Sequence, residues 1–148
     1  MTLPANQLGL LAACLALVLL TFAIGVLLLL TRVREMRSRG VHPQAVATSL
    51  AMAARLQDVR PADNFRNLFE VPVLFYALAA VALATAHVPP WLPAGAWAFV
   101  ALRITHSIIH CSYNRVTHRL AAFATGFCLL VVLWVAFVVS LAGAHRGG

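Results

Sequence analysis

From Leu8 to Leu30 the chain runs about 23 residues without a charged side chain, and at roughly 1.5 Å per residue a helix of that length reaches about 34 Å. That is enough to cross a hydrocarbon core about 30 Å thick. Three more largely apolar stretches of membrane-spanning length follow, from Asn64 to about Ala86, from Trp91 to Tyr113 and from Leu120 to Leu141. A 148-residue chain that is 62% hydrophobic, 10% charged and of mean hydropathy +0.89 has more apolar surface than a water-soluble domain of this size can bury. The sequence therefore predicts an all-α integral membrane protein. Its expected form is a four-transmembrane-helix bundle in a single domain, residues 1–148, with helices at about 8–31, 64–87, 91–113 and 120–141.

A cleaved signal peptide is the competing reading of the first stretch. No basic region precedes it, however, and Arg32, Arg34, Arg37 and Arg39 follow at once, as they do after a stop-transfer segment. Arg55 and Arg60 add to the charge of the 32–63 loop, Arg115 and Arg119 make the 114–119 loop basic, and the Val88-Pro89-Pro90 turn carries no charge. The positive-inside rule then puts both basic loops in the cytoplasm and both termini outside, with Arg146 the single dissent. The formal charge of +7 comes wholly from arginine, since the chain has no lysine. Topology and attraction to anionic headgroups account for it more simply than a nucleic-acid partner does. The short termini suit a bacterial inner membrane.

Pro43-Gln44 followed by Ala45 to Val59 predicts a short amphipathic helix lying on the cytoplasmic surface. Pro61 ends what precedes it. Asp63 or Asn64 can accept from orphan backbone donors, which marks a helix start there. Ala77, Ala80 and Ala84, and then Gly95, Ala98 and Ala101, recur at spacings that let helices approach closely, and they predict a tight bundle. Cys14, Cys111 and Cys128 lie in separate apolar segments without disulfide or zinc spacing, which reads as reduced structural cysteine.

Polar residues gather at one end of the apolar segments, where an ionised side chain facing lipid would cost several kcal/mol. Arg66, Asn67 and Glu70 open the second segment. On a helix they share one side, and an Arg66–Glu70 ion pair is available within a turn. Pro72 lacks the N–H that would bond the Leu68 carbonyl, so a kink is expected nearby. Arg103, His106, His110, Tyr113 and Thr117 form a stripe of period 3.5 along the third segment. Asn114 and Arg119 follow at the mouth of the hairpin into the fourth segment, while Arg115 and His118 read as solvated loop. His106 and His110, four apart, have a spacing that can chelate a metal, with Glu70 or Cys111 as further ligands. No second histidine-rich box completes such a site, and the expectation is that none of these residues is a metal ligand.

Phe65-Arg66-Asn67-Leu68-Phe69-Glu70, the Arg103-x-x-His106 step and Arg119 resemble the family of membrane-associated proteins in eicosanoid and glutathione metabolism, and the likeness extends over nearly the whole chain. The resemblance implies a homotrimer with glutathione as cosubstrate, bound between subunits near the cytoplasmic side. It implies that Arg66, Asn67 and Glu70 hold the tripeptide, helped by Arg32 or Arg34 from the first helix and by Arg103, His106 and His110 from the third. Arg119 matches the catalytic arginine that faces the thiol. A guanidinium within about 4–6 Å favours the thiolate, which is the nucleophile. His110 stands where some glutathione-binding members carry tyrosine, with Tyr113 one turn further on, and Leu120 stands where a serine follows the thiol-facing arginine.

Three functions fit these residues. The first is a glutathione-dependent transferase or peroxidase acting on lipophilic electrophiles delivered by membrane lipid. The second is a noncatalytic scaffold or lipid-binding protein of the same fold, as one branch of the resembled family is. The third is a proton relay through Glu70, His106 and His110, which lacks polar residues midway along the first and fourth helices.

Overall fold

The computed structural model describes residues 2–146, and every regular element among them is helical. The order is α1 (Ala5–Ser38), a 3-10 turn (Pro43–Val46), α2 (Ser49–Arg55), α3 (Arg60–Asn67), α4 (Val71–Ala84), α5 (Leu92–Cys111) and α6 (Val116–Arg146). Ala5–Ser38, Arg60–Ala84, Leu92–Cys111 and Val116–Ala144 are long and apolar enough to cross a membrane. The chain is a multi-pass integral membrane protein.

Helix α1 outruns its apolar stretch because Arg32, Arg34, Glu35, Arg37 and Arg39 are compatible with helix once outside the hydrocarbon, and Arg39 pairs with Glu35 at 2.9 Å. It stops at Gly40, whose φ of +62° lets the Val41 N–H bond the Met36 carbonyl at 2.9 Å. The expected surface helix of residues 45–59 is split. Pro43 starts a 3-10 turn, and the Thr48 hydroxyl then caps α2 by accepting from the Ala51 N–H at 3.1 Å. Glu35 ties the following loop to α1 by accepting from the backbone N–H of Gln57 at 2.6 Å and of Asp58 at 3.3 Å.

The second membrane segment differs most from its sequence reading. It begins at Arg60, and it breaks over residues 68–70 into α3 and α4. Pro72 causes the break: its ring and missing N–H cannot continue the ladder back to Leu68, so the chain restarts with Pro72 in the first turn of α4. The interruption is tightened by bonds from Phe69 N–H to Arg66 O at 2.9 Å and from Glu70 N–H to Asn67 O at 3.3 Å. Asn64 is no cap. It is fully buried, its Nδ2 donating to Cys111 Sγ at 3.4 Å and its Oδ1 accepting from the Ser107 hydroxyl at 3.3 Å, so it joins α3 to α5.

The core joins Leu10, Ala13 and Leu17 of α1, Phe75 and Leu78 of α4, Ala96, Phe99 and Val100 of α5, and Leu130, Leu133 and Phe137 of α6. Phe75 and Phe99 stack at 5.0 Å. Close approach depends on glycine: a Cβ at Gly95 would sit 2.4 Å from Leu133 Cδ2, and one at Gly25 would sit 3.1 Å from the Phe65 ring. Of the small residues whose spacing lets helices approach closely, Gly95 packs tightly against α6. Ala77, Ala80 and Ala84 on α4, and Ala94, Ala98, Ala101 and Thr105 on α5, form exposed stripes on the outside.

Candidate functional site

The break in the second segment and the end of α5 create the site. At the basic end of the bundle a cleft of about 420 Å³ is lined by Asp63, Arg66, Asn67 and Glu70 from the α3–α4 junction and by His106 and His110 from α5. Val116, Arg119, Leu120 and Phe123 of α6 complete it. Sites for small molecules have volumes of about 300–1,000 Å³ and combine apolar walls with a few convergent polar groups, as this one does. Six of the nine residues singled out from sequence, Arg66, Asn67, Glu70, His106, His110 and Arg119, meet here although they are spread over more than fifty positions of the chain.

Their pairing is not the one a continuous helix would give. The break turns Glu70 away from Arg66, no ion pair joins them, and Glu70 Oε2 instead accepts from Asn67 Nδ2 at 3.3 Å. Arg66, Asp63 and Glu70 are exposed at the cleft. Arg119 is half-buried, and its Nη1 donates to Asn114 Oδ1 at 2.8 Å. Asn114 has a φ of +49°, a left-handed conformation that asparagine tolerates better than most residues. The turn thus aims an amide oxygen at the guanidinium.

On α5 the polar stripe is real for three residues only. Arg103, His106 and His110 are buried, whereas the helix ends at Cys111 and so carries Tyr113 and Thr117 off the face. Tyr113 is exposed and its hydroxyl meets His118 Nδ1 at 3.1 Å, away from the cleft. Arg115 and His118 are exposed, in or beside the first turn of α6. His106 Nδ1 lies 3.2 Å from the Arg119 carbonyl oxygen. A carbonyl can only accept, so this nitrogen carries a proton and donates it to the Arg119 carbonyl. His106 Nε2, His110 Nδ1 and Arg103 Nε are the buried polar atoms without a hydrogen-bond partner among the described residues, and all three lie in or directly behind the cleft wall. Unpaired buried polar atoms are expensive, and their concentration here sets this end of the bundle apart from the apolar core.

Three expected contributors lie elsewhere in the chain. Arg103 stands behind the cleft and does not line it. Arg32 lines a neighbouring cavity of about 240 Å³ under α2, which shares Asp63 and Arg66 with the cleft. Arg34 faces outward beside Ser38 on α1. Asp63, Asn114, Phe123 and Gly126 belong to the site or its support and were not singled out as site residues from sequence. For Asn114 the signal was its position just before the Arg119 turn. For Gly126 there was none, because its value lies in an arginine on another helix. Among the described residues, no three His, Cys, Asp or Glu side chains converge as metal ligands. Outside the membrane segments, Arg60 donates to Asp58 at 2.8 and 3.0 Å, and this hydrogen bonding lowers the Asp58 pKa from its ordinary 3.8. Arg60 also donates to the Ser112 carbonyl at 2.6 Å, locking the start of α3 to the end of α5.

Comparison with known proteins gives one result of substance: the model of the MAPEG family matches residues 10–139. Neither the curated proteins nor the solved structures provide a match.

Proposed function

This chain belongs to the MAPEG family, and from that membership we propose that it binds a glutathione-type thiol in the cleft and transfers it to, or uses it on, lipophilic electrophiles or peroxides. The observation that carries the reading is the convergence of Arg66, Asn67, Glu70 and Arg119 on one cavity of about 420 Å³. Glutathione has two carboxylates, one ammonium, two amides and a thiol. The cleft offers two guanidinium groups, two carboxylates from Asp63 and Glu70, and the Asn67 amide, which is the complementary set. Arg119 is the group assigned to the thiol: a cation about 4–6 Å from sulfur favours the thiolate, which attacks the electrophile. Leu120, Val116 and Phe123 line the cleft with apolar surface that suits a lipophilic partner arriving from the bilayer.

A homotrimer is part of the proposal. The outward alanine stripes of α4 and α5 support it, because small residues let helices of neighbouring subunits approach closely where lipid tails gain little from burial. Such packing could bring Arg32 or Arg34 of one subunit to the cleft of another.

Isothermal titration of glutathione into the detergent-purified protein tests the reading, with Arg66→Ala and Arg119→Ala as controls. Saturable binding that is lost in Arg66→Ala is the expected result. No binding at millimolar glutathione would replace it with the noncatalytic scaffold.

A further inference from the structure

Arg103 is a fully buried arginine that makes no salt bridge to a carboxylate among the described residues. A guanidinium at membrane depth costs several kcal/mol, and burying an ion without a counter-ion is not a way to stabilise a bundle. Yet the surroundings are built for this one. Its carbon Cζ sits between two rings, 5.4 Å from the centroid of Phe99 and 5.1 Å from that of Phe123, within cation–π range. Nη2 donates to the Phe123 carbonyl at 3.4 Å. Gly126 leaves the space the head group occupies, since a Cβ there would lie 3.1 Å from Nη2 and 3.5 Å from Nε. The remaining bond is the informative one: Nη1 donates to Asn67 Oδ1 at 3.3 Å.

That bond fixes the Asn67 amide. Arginine has donors only, so the atom facing it must be the amide oxygen, and Nδ2 is thereby turned toward Glu70 Oε2. One Asn67 N–H is then committed to Glu70, and the Glu70 carboxylate is held at the cleft with its other oxygen, Oε1, free of that bond. We propose that Arg103 is a positioning residue: acting through Asn67, it holds Glu70 as the acceptor for the ligand's ammonium group, and it does not touch the ligand. This assignment rests on the glutathione reading above and adds to it which end of the tripeptide meets Glu70 and what keeps that contact in place.

The test compares glutathione with N-acetylglutathione, whose α-amino group is blocked, in calorimetric titrations of the full-length detergent-purified protein. For the wild type, glutathione should bind more tightly than the blocked peptide. Arg103→Met should weaken glutathione about tenfold, as loss of a well-placed charged hydrogen bond does, and leave N-acetylglutathione unchanged. Glu70→Gln should do the same, and Arg103→Met combined with Glu70→Gln should lose no more than either alone, because both remove one coupled contact. Gly126→Ala crowds the guanidinium without deleting it and should show a smaller loss with the same selectivity. It also keeps the test decisive if Arg103→Met does not fold. Equal weakening of both peptides in Arg103→Met and Gly126→Ala would show a merely structural arginine and overturn the proposal, as would no weakening of either. Failure of the wild type to bind glutathione at all would overturn the functional reading and this assignment with it.

Discussion

Asn114 gives the sharpest handle on Arg119. Its Oδ1 receives the Arg119 Nη1 at 2.8 Å, and its backbone sits at φ +49°. Asn114→Gly keeps that backbone without steric cost and deletes the acceptor. Asn114→Ala deletes the same acceptor and adds a Cβ in the left-handed region, worth about 1–2 kcal/mol, against about 0.5–1 kcal/mol of extra backbone entropy that glycine loses. The alanine variant should therefore be less stable than the glycine variant by up to about 1.5 kcal/mol, while both release Arg119 alike. If the guanidinium lowers a thiol pKa from about 8.5 by about two units, the bound thiol is about three-quarters thiolate at pH 7, and without the guanidinium only about 3%. Thiolate absorbance of bound glutathione across pH should shift upward equally in Asn114→Gly and Asn114→Ala, toward the Arg119→Ala curve. Thermal melting in detergent should separate the first two. The electrostatic role of Arg119 is refuted if Arg119→Ala titrates like the wild type. The positioning role of Asn114 is refuted if Asn114→Gly does so while Arg119→Ala shifts.

Other positions test the scaffold. Gly95→Ala would place its Cβ 2.4 Å from Leu133 Cδ2, and Leu133 is only 5% exposed. Overpacking should outweigh the gain in helix propensity and lower stability by about 1–2 kcal/mol, seen as a reduced melting temperature. Ala86, at φ +52°, closes α4 with its N–H bonded to the Leu83 carbonyl at 3.1 Å. Ala86→Gly should relieve the left-handed strain and raise stability by up to about 1 kcal/mol, and an unchanged or lower melting temperature would contradict this. The hydrogen bonds from Arg60 lower the Asp58 pKa, so this pair adds stability above the ordinary value of 3.8 and loses it as pH falls through the lowered one. Both side chains are substantially exposed, at 33% and 41%, which limits the effect to less than about 1 kcal/mol. Asp58→Asn should melt slightly below the wild type at neutral pH, and the gap should close in acid.

The family hit and the long apolar helices agree with what hydropathy and a few motifs imply, because membrane insertion is decided segment by segment. A helix satisfies its own backbone, so length and apolar content suffice to recognise it. The ends were harder to read. Arg32 to Arg39 look like a loop by hydropathy, yet they continue α1, since nothing there breaks a helix before Gly40. Pro72 was legible as a kink, but its consequence was not: how far the chain turns at 68–70 depends on the packing of α3 against α1 and α5.

The sequence by itself determined that the chain spans the membrane several times and that Arg66, Asn67, Glu70, His106, His110 and Arg119 lie at the ends of apolar segments, where polar side chains are costly and draw attention as candidate site residues. Only the tertiary structure decided who meets whom. It directed Glu70 to Asn67 instead of Arg66, withdrew Arg103 behind the cleft between Phe99 and Phe123, supplied Asn114 as the partner of Arg119, and turned the α4 and α5 alanines outward. Those outcomes depend on contacts between residues far apart in the chain and on one broken helical turn, and helical periodicity carries no information about either.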